Sequence, residues 1–164
     1  MPHDNPSAAN FSHLDAEGRA RMVDVSEKPI TRRVACASCR VLLADEVIGR
    51  LGSLPKGDAF AVARLAGIQA AKRTAEWIPL AHPLPLDEIE VEIKPGRGEV
   101  RIDTRVVATA RTGAEMEALV AASAAALALY DMVKASARGA VVTDLRLEAK
   151  QGGKSGDWQR TEGG

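Results

Sequence analysis

Four side chains stand where acid–base chemistry could be done. Asp131 and Lys134 lie one helical turn apart in LALYDMVKA, two ionisable groups breaking an otherwise apolar run. Ionised groups on so apolar a helix cost free energy unless they are paired or used. A carboxylate beside an amine alters the proton affinity of both. A plain intrahelical ion pair, worth about 0.2–0.5 kcal/mol, accounts for the same spacing. His82 lies in IPLAHPLPL, stiffened by Pro79, Pro83 and Pro85. An imidazole held this rigidly can donate to a ligand or move protons near neutrality; a structural hydrogen bond in a loop is the alternative. Lys56 comes two residues before Asp58, an N-cap residue type, and a helix start offers free amides and positive potential that suit phosphate. Ordinary turn chemistry explains KGD equally well.

These residues need elements to position them. Residues 112–139, TGAEMEALVAASAAALALYDMVKASARG, are expected to form one long helix. Thr112 with Glu115 has the pattern of a capping box, and Gly139 follows Arg138 where a left-handed C-terminal cap would fall. The many alanines favour helix throughout. Asp58 is expected to cap a second helix running to about Glu76, with Phe60, Ala63, Leu65, Ile68, Ala70 and Ala71 buried. Alternation predicts strands over residues 31–43, 86–94, 99–110 and 139–147, with PGRG as a hairpin turn between the second and third. A short helix over 44–51 and a GSLPKG turn follow the first strand. The order β, α, β, β, α, β predicts an α+β ferredoxin-like sandwich, an antiparallel sheet with helices packed on one face. Its domain would span 29–150, between a flexible N-terminal arm (1–28) and a flexible glycine- and lysine-containing tail (151–164). A sheet of this type leaves one face open, and alanine-rich helices pack closely, so self-association is expected.

Composition narrows the function classes. Twenty-two basic residues balance 22 acidic ones, which argues against a nucleic-acid or anionic-membrane surface. No apolar run approaches the roughly 18 residues of a membrane span, and the start of the chain has no secretory hydrophobic region. Two cysteines in an unexported chain point to a reducing, cytoplasmic setting. Cys36-Ala-Ser-Cys39 is half a zinc site without a second half, and on a strand its two thiols face opposite ways. GGKS at 152–155 lacks the glycine five residues before Gly153 that a phosphate-binding P-loop needs, since Glu148 is there. Lys150 and Lys154 on this glycine-rich segment can still fold over an anion. His3 and His13 stand apart from His82, so a metal role is not expected. Met116 and Glu117 lie near the start of the long helix, and 14 residues separate Glu117 from Asp131, roughly 21 Å of helix axis. A small ligand cannot easily touch both ends in one chain; either the ligand is extended or two subunits share the site.

Four collinear segments, MVDVSEK, KGDAFAVARLAGIQAAKRTAEWIPLAHPLPL, TGAEMEALVAASAAALALYDMVKA and GGKSGDW, together resemble the cyclic pyranopterin monophosphate synthase family of molybdenum cofactor biosynthesis. The likeness runs from about Phe11 to Trp158. It implies a ferredoxin-like subunit in a homohexamer, a trimer of dimers, with sites at subunit interfaces. The implied reaction converts 3′,8-cyclised dihydro-GTP to cyclic pyranopterin monophosphate and releases pyrophosphate. Carried over by motif, Asp131, Lys134 and Lys56 match catalytic positions, and Leu80, Ala81 and His82 match the substrate loop. Met116 and Glu117 match a second substrate contact, with Glu115, Arg33, Lys150 and Lys154 placed near the site. The family's usual LCHP stands here as LAHP, with Ala81 in place of the thiol. The implied partner is a small nucleotide, neither nucleic acid nor membrane. No redox cofactor is required, and Mg2+ enters the picture only with the triphosphate.

Overall fold

A computed structural model describes residues 17–161. Strand β1 (Thr31–Leu42) leads through a one-turn helix α1 (Asp45–Ile48) and a tight turn to α2 (Ala59–Ala71) and a short α3 (Thr74–Trp77). The hairpin β2 (Leu86–Pro95) and β3 (Glu99–Ala110), helix α4 (Glu115–Val133), β4 (Val141–Gln151) and β5 (Trp158–Gln159) complete the described chain. The five strands pair antiparallel in the order β2-β3-β1-β4-β5. That is the expected ferredoxin-like α+β arrangement with one added edge strand.

Alternation along the strands decides which face is covered. Cys39, Val41, Val100 and Ile102 turn toward the helices and are fully buried against Ala122, Ala125, Ala126 and Leu129 of α4. The other face carries charge instead, where Arg101, Arg146 and Arg160 gather on Glu148 while Arg105 pairs with Glu88 and Glu90. Cys36 is half-buried on that face, and Cys39 donates its thiol to Ala122 O at 3.4 Å. Both cysteines are free, and burial pushes the Cys39 thiol up to about 12. The CASC pattern is strand, as its spacing implies.

The two longer helices touch through small residues. An added Cβ at Gly67 would sit 2.9 Å from Ala121 O and 3.3 Å from the Ala125 Cβ. The buried stripe of α2 is therefore Ala59, Ala63, Gly67, Ala70 and Ala71, and side chains this small let the backbones approach. Leu65, expected inside, falls off this stripe and is 67% exposed. Asp58 caps α2 as anticipated, its Oδ1 accepting from Phe60 N at 2.8 Å and Ala61 N at 3.2 Å.

Other boundaries differ from expectation. α4 starts at Glu115 behind Ala114 with no side-chain cap hydrogen bond, so the Thr112–Glu115 capping box does not form. It ends at Val133, because Ser136 N and Ala137 N both turn back to Val133 O and start a tight turn well before Gly139. α4 has the length and apolarity of a membrane span, contrary to the sequence expectation, but its apolar side chains form the protein's core. The segment read as a free tail returns to the sheet, where Trp158 and Gln159 pair with Lys150 and Ala149. Of the N-terminal arm, residues 1–16, including His3 and His13, lie outside the described residues.

Candidate active site

One end of α4 carries a triad. Asp131 is on the last turn, Lys134 follows at the helix C-cap, and Lys56 comes from the turn before α2. Lys134 Nζ is 2.6 Å from Asp131 Oδ1, and Lys56 Nζ is 3.7 Å from Oδ2 and donates to Asp131 O at 3.2 Å. The ammonium of Lys134, then that of Lys56, holds the Asp131 carboxyl below its ordinary range. Asp131 in return raises Lys134. Lys134 is thus shifted away from, not toward, the lowered pKa that would make it a base at neutrality. The two side chains are 53% and 58% exposed, so desolvation is too weak to offset the carboxylate, which governs the amine.

The other end of α4 forms one wall of a cavity of about 370 Å³. Leu80, Ala81 and His82 from the proline-stiffened loop line it, with Met116 and Glu117 from the first turn of α4. A turn hydrogen bond from Ala81 N to Ile78 O, 3.0 Å, shapes the loop. Glu117 is only 4% exposed, and burial pushes its carboxyl up to about 7. Beside Glu117 the Met116 side chain remains open to solvent. Val23 and Val25, from the stretch expected to be arm, close the far side.

A second cavity of about 800 Å³ adjoins the first, with Lys28, Thr112 and Gly113 lining both. Its cations are Arg33, Arg111, Lys150 and Lys154, together with Lys28, against the carboxylates of Glu27 and Glu115. Lys150 Nζ donates to Ser155 Oγ at 2.7 Å and lies 3.6 Å from Glu115 Oε1. Gly152 and Gly153 have φ of 88° and 86°. An added Cβ at Gly153 would fall 1.4 Å from Nη1 of Arg33, so the guanidinium packs directly on the glycine loop. Arg33 Nε and Thr31 Oγ1 are buried here without a hydrogen-bond partner. Such orphaned donors are costly in a finished core and reasonable beside a polar ligand. An apolar chamber with one imidazole and one buried carboxyl, opening on a cationic chamber, suits a flat heterocycle bearing phosphates.

The profile of the MoaC family matches residues 22–153. The chain belongs to the MoaC family. Proteins named cyclic pyranopterin monophosphate synthase are similar over nearly the whole chain. One from Streptomyces griseus is 55% identical over 153 residues, covering 92% of this chain and 86% of that protein. Another from Thermomicrobium roseum is 52% identical over 158 residues, covering 94% and 95%. A third from Parvibaculum lavamentivorans is 49% identical over 157 residues, covering 93% and 98%.

In this MoaC-family chain the site residues carried over by motif fall in two places. Lys56, Asp131 and Lys134 make the triad; Leu80, Ala81, His82, Met116, Glu117, Glu115, Arg33, Lys150 and Lys154 line the paired cavities at the opposite end of α4. No single chain brings the two sets together, since the same helix holds them apart. Lys56 and Asp131, by contrast, meet within one chain, so they are not the pair that two subunits would share. Sequence reasoning left out Lys28, Arg111 and Gly113. The MVDVSEK segment contains Lys28 and was a usable signal. Arg111 and Gly113 declare themselves only once β3 and α4 are joined.

Proposed function

We propose that this chain is a lyase, a cyclic pyranopterin monophosphate synthase. Its substrate would be (8S)-3′,8-cyclo-7,8-dihydroguanosine 5′-triphosphate, converted to cyclic pyranopterin monophosphate with release of pyrophosphate. The observation that carries the reading is the joined pair of chambers in a MoaC-family chain, one apolar with His82 and Glu117, one cationic with Arg33, Lys150 and Lys154. Each chemical stage is a proton transfer, a hydration or a phosphoryl displacement, which acid–base groups and cationic clamps can serve.

In this reading His82 and Glu117 hold the base-derived ring. Glu117, with its carboxyl at about 7, can accept and return a proton at neutral pH. Leu80, Ala81 and Met116 supply the apolar wall. Arg33, Lys150 and Lys154 take the phosphates as charged donors, and the cyclic phosphate closes when a sugar-derived hydroxyl attacks the α-phosphorus and pyrophosphate departs. Lys134 and Lys56 act as proton donors and phosphate contacts, with Asp131 orienting both ammonium groups. The triad and the chambers are brought together by a second subunit, within a homohexamer built as a trimer of dimers.

The reading needs no redox cofactor. Any Mg2+ would enter with the triphosphate of the substrate. A cytoplasmic setting goes with a nucleotide substrate and two free thiols. Incubating the pure protein with the cyclised nucleotide should release pyrophosphate and yield a product that oxidises to a fluorescent pterin. If the wild type gives neither above the level of Asp131→Asn, the proposal fails.

A further inference from the structure

The position of Glu115 depends on an absence beside it. A Cβ added at Gly113 would fall 1.8 Å from Glu115 Oε2, 2.6 Å from Cδ and 2.7 Å from Oε1. The carboxylate therefore occupies the volume that any other residue at 113 would fill. From that place Oε1 faces Lys150 Nζ at 3.6 Å, with the two side chains only 30% and 25% exposed. Lys150 is a principal cation of the larger chamber, and Gly113 lies on the seam between the two chambers.

Two ordinary explanations for this glycine fail. Its φ is outside the left-handed region, unlike those of Gly152, Gly153 and Gly156, so backbone conformation does not demand it. The helix start does not demand it either, because α4 has no side-chain cap hydrogen bond. What remains is the space it leaves.

We infer that Gly113 is a positioning residue that seats Glu115 against Lys150, making the carboxylate an internal counter-anion that an incoming phosphate group must displace. This rests on reading the cationic chamber as the phosphate-binding part of the site. It adds a determinant of affinity: the chamber's charge is partly neutralised before the ligand arrives, by a group whose seat is provided by a missing side chain. The three atoms nearest an added Cβ at 113 all belong to the end of the flexible Glu115 side chain, so the fold tolerates alanine there and the carboxylate swings away. Lys150 then faces the chamber without its competitor.

The test is calorimetric titration of inorganic pyrophosphate into four proteins: wild type, Gly113→Ala, Glu115→Ala and the double variant, with melting temperatures as a check on folding. Gly113→Ala and Glu115→Ala should each tighten pyrophosphate binding about two- to fivefold, the range a partly exposed ion pair allows. The double variant should bind no tighter than Glu115→Ala, since there is no carboxylate left to displace. Unchanged or weaker binding by Gly113→Ala overturns the inference. So does a Gly113→Ala effect that persists in full without Glu115, or no pyrophosphate binding by any of the four. Turnover of the cyclised nucleotide separates this from the functional reading. Wild-type turnover without the binding pattern sinks the inference alone, and the binding pattern without turnover sinks the reading alone.

Discussion

Lys134 Nζ sits 2.6 Å from Asp131 Oδ1, three residues away on the same helix, and each group holds the other in its charged form. Asp131 stays a carboxylate further into the acid range than an ordinary aspartate, and Lys134 stays an ammonium further into the alkaline range than an ordinary lysine. Across neutrality the triad is therefore one anion between two ammonium groups, Lys134 and Lys56.

Replacing Asp131 by Asn removes the cause of the Lys134 shift. If Lys134 donates a proton in the reaction, Asp131→Asn should lower kcat/KM by about 10²- to 10⁴-fold. The alkaline limb of the residual activity should also move to lower pH, because an ammonium without its carboxylate loses its proton sooner. A pH profile that keeps its alkaline limb in place would assign the proton to another group.

Glu117 makes a stability prediction. Its folded-state carboxyl lies near 7 against an ordinary 4.5, because the side chain is buried. As pH rises through this window the unfolded chain releases the proton first, so stability falls from about pH 4.5 to about pH 7 and is flat above. Glu117→Gln should be more stable than the wild type at pH 8 by about 2–3 kcal/mol. The gap should close as pH falls toward 4.5. Denaturant melts at several pH values check this, and a gap independent of pH would mean that the carboxyl ionises freely where it is.

The two ends of α4 make a prediction about assembly. Separately inactive His82→Ala and Lys134→Ala proteins, mixed under subunit exchange, should regain activity if one chain supplies the chambers and its neighbour the triad. With random exchange about a quarter of shared sites would carry both native ends. Lys56→Ala mixed with Asp131→Ala should recover none, because every chain then lacks one member of its own triad. Failure of the first mixture, with exchange verified by mass spectrometry, would place the whole site within one chain.

Local signals in the sequence were sufficient wherever a few neighbours decide the structure. β3 spans Glu99–Ala110 as alternation implies, and Asp58 caps α2 because the capping partners are two and three residues away. The topology followed from element order. What could not be read locally was decided by distant partners. The Thr112–Glu115 pattern looks like a capping box until Lys150, brought in by β4, gives the carboxylate a different place to point. Leu65 looks like a core residue until the buried stripe is fixed at Ala63 and Gly67, which turns it to the opposite side of α2. The pairing of Lys56 with Asp131 likewise required α2 and α4 to lie side by side. The candidate residues were nearly all legible. Their division into two groups was half legible, from helix length alone, and which residues fall in which group came only from the packed structure.

α4 has no proline, and no glycine between Glu115 and Val133, and it is packed between α2 and the sheet. Such a rod does not stretch or bend to suit its cargo. It works as a fixed strut: the separation between the chambers and the triad of one chain is set when the chain folds. Accommodation is left to the loops at 78–85 and 152–157. Substitutions in those loops should therefore change which ligands are accepted, whereas substitutions along the rod should change whether any ligand is aligned.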